Sequence, residues 1–324
     1  VLACSIISCN NNQNSSKTED VVVRKEVVFD GITTSIKPGD DFFNHVNKTW
    51  YENAVIAEDQ IGVGAYRFLN IPQQELLQTI LEDVSKEEHP EGSVEQMVGD
   101  FYASGIDTIS INARGIEPIQ PILDRIEAIK DVSSMIEFVA IQIMSGDYSI
   151  INPYISADEK NSSINIAHFV QTGLGLPDRD YYFKEDVSVE KIQEAYKTYI
   201  TTLFELIGDA NAKEHATTVY EIEKQLADAH KTRIDRRVIK ENYNKLAVSD
   251  LDASHGNIGW AAMLKTLGMA VDSLDIKQPA YYNKLNKMLV SFPLEDWKVY
   301  LKANSISTHD NILSSQFKDA AFEY

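Results

Sequence analysis

Thr172-Gly173-Leu174-Gly175-Leu176-Pro177-Asp178-Arg179-Asp180-Tyr181-Tyr182-Phe183 concentrates residues of special cost or reach. Two glycines and a proline set close together force a tight, non-repetitive path. Asp178, Arg179 and Asp180 place one cation between two anions. On these residues alone the segment is a rigid loop held by an internal Arg–carboxylate pair. Tyr181 and Tyr182 add bulk with polar tips. Gly173-Leu174-Gly175 begins like a dinucleotide-binding loop but lacks the third glycine and the helix that must follow. Gly62-Val63-Gly64 fails in the same way.

Immediately upstream, Tyr148–Ser156 and Ser162–Val170 are rich in Ile and Tyr, and Asp158-Glu159-Lys160-Asn161 between them is turn chemistry. That pattern predicts one β-hairpin. Elsewhere the periodicity is helical. Ile192, Tyr196, Tyr199, Leu203 and Leu206 step by four and three through 189–207, one apolar face of a long helix. Val219, Ile222, Leu226 and Ala229 do the same in 216–230. A helix is expected to begin at Pro72 and run to 86, with Leu76, Leu77, Ile80 and Leu81 on one stripe. Further helices fit 93–105, 116–127, 132–145, 257–267, 279–291 and 294–303. Lys37-Pro38-Gly39-Asp40 reads as a turn, with Asp40 capping a helix that carries Phe42, Phe43 and Val46 inward. No repeat of solenoid length is present. The fold class is mainly α.

Hydrophobic residues make up 44% of the 324, enough to bury a substantial core. Forty-nine acidic residues against 30 basic ones give a formal charge of −19. Such a polyanion repels nucleic acid. No run of 18 apolar residues occurs, so no segment is long enough to span a membrane as a helix. Residues 1–9, VLACSIISC, read as the remnant of an apolar targeting segment. Ile6-Ile7-Ser8-Cys9 resembles a bacterial lipobox, which makes Cys9 the lipidation candidate; Cys4 is weaker because apolar Ile6 and Ile7 follow it. Residues 10–27, opening with Asn10-Asn11-Asn12-Gln13-Asn14, suit a flexible polar leash of the type found on Bacteroidetes-type lipoproteins. The folded domain is expected over 28–324, in an extracytoplasmic, membrane-anchored protein of the periplasm or outer membrane.

A census of reactive groups finds little. The seven histidines are His45, His89, His168, His215, His230, His255 and His309. None precedes Glu, and no two stand three to five apart, so there is no H-E-x-x-H helix and no local zinc pair. No G-x-S-x-G elbow is present. The residues by themselves describe a helical extracytoplasmic domain without a visible catalytic centre or metal site.

A resemblance extends that reading. Thr172–Phe183 contains G-L-P-D-R-D-Y-Y, similar to a signature of the neprilysin family of zinc peptidases, which includes endothelin-converting enzymes and many bacterial oligopeptidases. Pro177, Asp178, Arg179, Asp180, Tyr181 and Tyr182 carry it. Other segments resemble the family in the same order. They are Pro38-Gly39-Asp40-Asp41-Phe42-Phe43 with Val46-Asn47 and Trp50, and Val55-Ile56-Ala57-Glu58-Asp59, where Ala57 replaces the usual proline. Glu221-Ile222-Glu223-Lys224-Gln225-Leu226-Ala227 follows, then Arg236 with Tyr243-Asn244-Lys245, where Arg237 stands in place of Asp. Gln278-Pro279-Ala280-Tyr281 and Trp297-Lys298-Val299-Tyr300-Leu301 complete the series.

The resemblance implies a large multi-helix lid domain with one small β-hairpin, ending before a thermolysin-like catalytic domain. It implies a zinc-dependent endopeptidase of oligopeptides. Zinc would be bound by a C-terminal half outside this chain, and the chain alone would be inactive. Its partners would be the oligopeptide substrate, that catalytic half and, through the lipid, a membrane. Ala321-Phe322-Glu323-Tyr324 resembles the point where family chains cross to the catalytic half. The family's substrate-gripping arginine aligns with Gly62, and Arg67, five residues on, is the candidate replacement. The composition and leash equally suit an alternative, a helical lipid-anchored glycan-binding protein of an outer-membrane uptake system.

Overall fold

A computed structural model describes residues 32–33, 35–58, 60 and 62–324. Cys4, Cys9, the segments 1–9 and 10–27, and Asp59 lie outside the described residues. The described chain divides into two compact units, one up to Val84 and one from Ser85 to Tyr324.

In the first unit, helix α1 (Phe42–Asn53) is capped by Asp41, whose extended backbone lets its carboxylate accept the Asn44 N–H at 2.9 Å. Asp40 belongs instead to the turn before it, its N–H bonded to Lys37 O. Phe42 and Phe43, expected inward, are 69% and 59% exposed. Helix α2 (Ala65–Lys86) starts seven residues before the expected Pro72, which lies inside it. A proline removes one backbone bond, and the helix continues through that loss. Leu76, Leu77 and Ile80 do share a stripe, and it is exposed.

The second unit opens with α3 (Val94–Ile106), α4 (Thr108–Arg114), α5 (Gln120–Glu127) and α6 (Val132–Met144). The hairpin follows as β1 (Asn152–Asp158) and β2 (Asn161–Val170), paired antiparallel. Then come α7 (Asp180–Phe183), α8 (Val187–Leu206), α9 (Ala212–Asp228), β3 (Lys245–Ala247), α10 (Val248–Ser254), α11 (Trp260–Thr266) and β4 (Ser273–Ile276). Helices α12 (Pro279–Ser291), α13 (Leu294–Thr308) and α14 (Ser315–Glu323) finish it. The protein is mainly α, as its periodicity predicts.

The hairpin is half of a larger sheet. Strand order is β1-β2-β4-β3, with β4 parallel to β2 and β3 antiparallel to β4. Buried polar groups stitch it together. Asp275 on β4 meets His168 Nδ1 at 2.9 Å and Lys277 Nζ at 2.9 Å, and accepts the Asn244 N–H beside β3. Asp158 at the hairpin turn accepts from Tyr243 OH and Lys245 Nζ. Strands of three and four residues carry too few side chains to announce themselves by alternation, so only these contacts reveal them.

The core sits among α8, α9 and α13. Of the predicted α8 stripe Tyr196, Tyr199 and Leu203 are buried and Ile192 and Leu206 half-buried, and Ile200 and Phe204 are buried beside them. Each such buried side chain stabilises the fold by roughly 1.5–3 kcal/mol. Truncating the fully buried Leu203 to alanine would cost about 2–5 kcal/mol. Helix α9 faces α8 through Val219, Ile222, Glu223 and Leu226. One carboxylate therefore lies on an otherwise apolar stripe.

Candidate functional site

That carboxylate organises the signature loop. Glu223 is 4% exposed and carries no ion-pair partner among the described residues. Its Oε2 accepts the Tyr182 hydroxyl at 2.8 Å and its Oε1 accepts the Tyr196 hydroxyl at 2.7 Å. Burial raises its carboxyl from 4.5 to about 7, and the two phenols and the Gly175 N–H only partly oppose that shift. The same burial, with the Glu223 charge adding to it, drives the Tyr182 and Tyr196 phenols above their ordinary range. Tyr182 also accepts the Leu176 N–H at 3.1 Å, so one phenol ties both ends of the loop to α9.

The glycines are there for space. Gly173 sits at φ +88°, and a Cβ on it would press on Leu226 and the Tyr300 hydroxyl, which donates to the Gly173 carbonyl at 3.2 Å. A Cβ on Gly175 would fall on the Tyr196 hydroxyl, far inside van der Waals contact. His230 completes the frame, its Nε2–H donating to Thr172 O at 3.0 Å. Burial lowers its pKa to about 4 and keeps the ring neutral near pH 7.

The charged centre of the loop holds the expected internal Arg–carboxylate pair and adds a distant partner. Arg179 does meet Asp180, at 3.5 Å, and Asp178 turns to Arg233 Nε at 2.8 Å, fifty residues beyond the loop's end at Phe183. Asp178 Oδ1 also accepts the Asp180 N–H at 2.8 Å and starts α7. Arg179 lies over the Phe183 ring at 5.6 Å. Tyr181 is held through its carbonyl, which accepts from Gln193 of α8. The strongest anchor is thus Glu223, which reading the loop alone does not disclose. A signal existed: Glu223 is four residues after Val219 and three before Leu226, on the apolar face of α9.

In the first unit Gly62 and Arg67 come together. Arg67 Nη1 donates to the Gly62 carbonyl at 3.3 Å, and the Arg67 N–H bonds Gly64 O. A Cβ on Gly62 would meet nothing within 4 Å.

Among the described residues no three His, Cys, Asp or Glu side chains stand together in a way that could hold a metal ion. Among the described residues the side chains do not fit a zinc site, and no chemical step is assigned to zinc on them. No helix among the described residues is long and apolar enough to cross a membrane.

Comparison with known proteins agrees with the motif order. The sequence pattern of the N-terminal part of peptidase family M13 matches residues 38–324. Mouse neprilysin is 25% identical over 338 residues, covering 94% of this chain and 44% of neprilysin. Mouse endothelin-converting enzyme-like 1 is 23% identical over 310 residues, covering 90% of this chain and 40% of that protein. In structure, a Mycobacterium tuberculosis zinc metalloprotease solved with an inhibitor superposes with a TM-score of 0.82 at 27% identity, over 91% of this chain and 46% of the protease. The chain therefore spans less than half the length of these relatives. With the family pattern matched across nearly nine-tenths of its length, the chain belongs to peptidase family M13.

Proposed function

We propose that this chain is the lid-forming N-terminal part of a zinc-dependent metalloendopeptidase that admits and cleaves oligopeptides. The observation that carries the reading is the family match over residues 38–324. It favours peptide hydrolysis over the glycan-binding alternative. The zinc would be bound by a catalytic half outside this chain, and the chain alone would be inactive. The exposed apolar residues Phe42 and Phe43 of α1 and Leu76, Leu77 and Ile80 of α2 support a partner surface for that half. The relatives have the necessary additional length, since this chain covers 40–44% of them.

Within this reading Gly62 leaves the substrate-carboxylate subsite without its gripping arginine, and the candidate replacement Arg67 is turned onto the Gly62 carbonyl. Pro177–Tyr182 is a structural signature that shapes the lid rather than a catalytic element. Anchoring is through lipid on Cys9, on the strength of Ile6-Ile7-Ser8 before it and the polar leash after it. That places the enzyme at a membrane outside the cytoplasm.

The test gives short quenched peptides and unfolded casein to the complete enzyme, before and after zinc chelation, with metal analysis of this chain alone. Cleavage restricted to short peptides and lost on chelation is the expected result. Equal cleavage of casein would overturn the lid role. Activity that survives chelation, or one tightly held zinc on this chain alone, would overturn the division of labour.

A further inference from the structure

Behind the signature loop lies a cavity of about 320 Å³. Its lining has a consistent chemistry. Glu223 and Asp310 are its acidic residues, and no lysine, arginine or histidine among the described residues lines it. Tyr196, Tyr199, Tyr300 and Tyr324 supply much of the wall. Tyr199 and Tyr324 stack at 5.1 Å and 6°, and Tyr196 tilts against Tyr324 at 5.5 Å. Aromatic faces carry negative potential and attract cations, most strongly where water is excluded. A carboxylate that is buried without a counter-charge is costly, and a bound cation relieves that cost.

We propose that this cavity is a binding site for a primary ammonium group on a short carbon chain, held by the Glu223 carboxylate between tyrosine rings. The two phenols on Glu223 use one acceptor direction on each oxygen, and a carboxylate has about four. Asn304 and Asp310 add acceptors in the same lining. Three N–H donors can use such a set, whereas a quaternary ammonium has none to offer. The volume falls near the lower end of ligand pockets, which span about 300–1,000 Å³. It suits a small aliphatic amine or the side chain of a lysine in a peptide. The site lies in the second unit and goes beyond peptide-bond hydrolysis.

Charge state and binding are linked. Glu223 is faced by Tyr182 from α7, Tyr196 from α8, Tyr300 from α13, Tyr324 after α14 and the Gly175 N–H of the loop. Burial holds its carboxyl at about 7, so the ammonium-binding, ionised form grows as pH rises through that value.

The experiment is calorimetric titration of the full chain with n-pentylammonium chloride, 1-pentanol, tetramethylammonium chloride and an acetylated, amidated lysyl tripeptide. Saturable n-pentylammonium binding is expected, with the alcohol and the quaternary ion weaker by at least about tenfold, the scale of one charge-assisted hydrogen bond. Affinity should rise as pH passes through about 7 in the wild type. Glu223→Gln should lose about tenfold or more and abolish that rise. Should Glu223→Gln not fold, Asp310→Asn serves, with n-pentylammonium affinity reduced and 1-pentanol unchanged. Lysyl-peptide affinity equal to that of n-pentylammonium assigns the ligand to a peptide side chain. Exclusion of the peptide alone assigns it to a free amine. No saturable ammonium binding, equal binding of 1-pentanol, or full affinity in folded Glu223→Gln would overturn the proposal.

Discussion

Replacing Glu223 by Gln separates the cost of a buried charge from the value of the hydrogen bonds it accepts. The amide keeps the size of the carboxyl and can still bond Tyr182 and Tyr196. Only the ability to ionise is removed. In the folded protein burial raises the Glu223 carboxyl from 4.5 to about 7, while the unfolded chain titrates near 4.5. The folded state thus binds the proton more tightly. The resulting stability is fully present below about pH 4.5 and is lost as pH rises through about 7. A shift of that size corresponds to about 3 kcal/mol between the ends of the window. The assay is urea unfolding of both proteins across this window in amine-free buffer, read by the fluorescence of buried Trp260 and Trp297. Taking the difference between variants cancels the titration of all other acids. At the acid end the two should be nearly equal. At the alkaline end the Gln variant should be more stable by about 3 kcal/mol. A difference that stays flat across the window refutes the buried, uncompensated carboxylate. A difference of opposite slope would mean that a cation faces Glu223.

Gly175→Ala should destabilise by about 2–5 kcal/mol, because the added methyl displaces Tyr196 from Glu223; urea melts within 0.5 kcal/mol of wild type (about the scatter of surface substitutions) would contradict the close approach. Asp178→Ala should cost only about 0.2–1 kcal/mol through its ion pair, since its partner Arg233 is 64% exposed, and a double-mutant cycle with Arg233→Ala measures that share. For the complete enzyme, the ratio of kcat/KM on free-acid and amidated peptides should lie near one and rise roughly ten- to a hundredfold on Gly62→Arg; a strong free-acid preference that collapses on Arg67→Ala would move the grip to Arg67. Lipid labelling should vanish with Cys9→Ser and survive Cys4→Ser, and the reverse pattern would reassign the anchor.

Much of the second unit is determined locally and is legible in the chain. Helices α8 and α9 fall where the three-and-four spacing of Tyr196, Leu203, Val219 and Leu226 places them, because a helix must turn its apolar stripe toward a core. The hairpin is equally local, its turn chemistry lying between two Ile- and Tyr-rich runs. The family follows from residues whose side chains or backbone freedom are hard to replace, such as Gly173, Pro177 and Tyr182. Other features depend on residues distant in sequence. Strands β3 and β4 join the hairpin through Asp275, His168 and Lys277, and nothing within 245–247 or 273–276 alone marks them as sheet. Asp178 chooses Arg233 over its neighbour Arg179, a choice made by where the segment after α9 returns. Phe42 and Phe43 read as core by hydrophobicity, yet they are exposed, since a periodic pattern specifies a face to cover but not what covers it. Glu223 shows both levels at once. Its place on the stripe of α9 is written in the spacing, but only the tertiary structure surrounds it with Tyr182 and Tyr196, excludes water and gives it a carboxyl that holds its proton near neutrality.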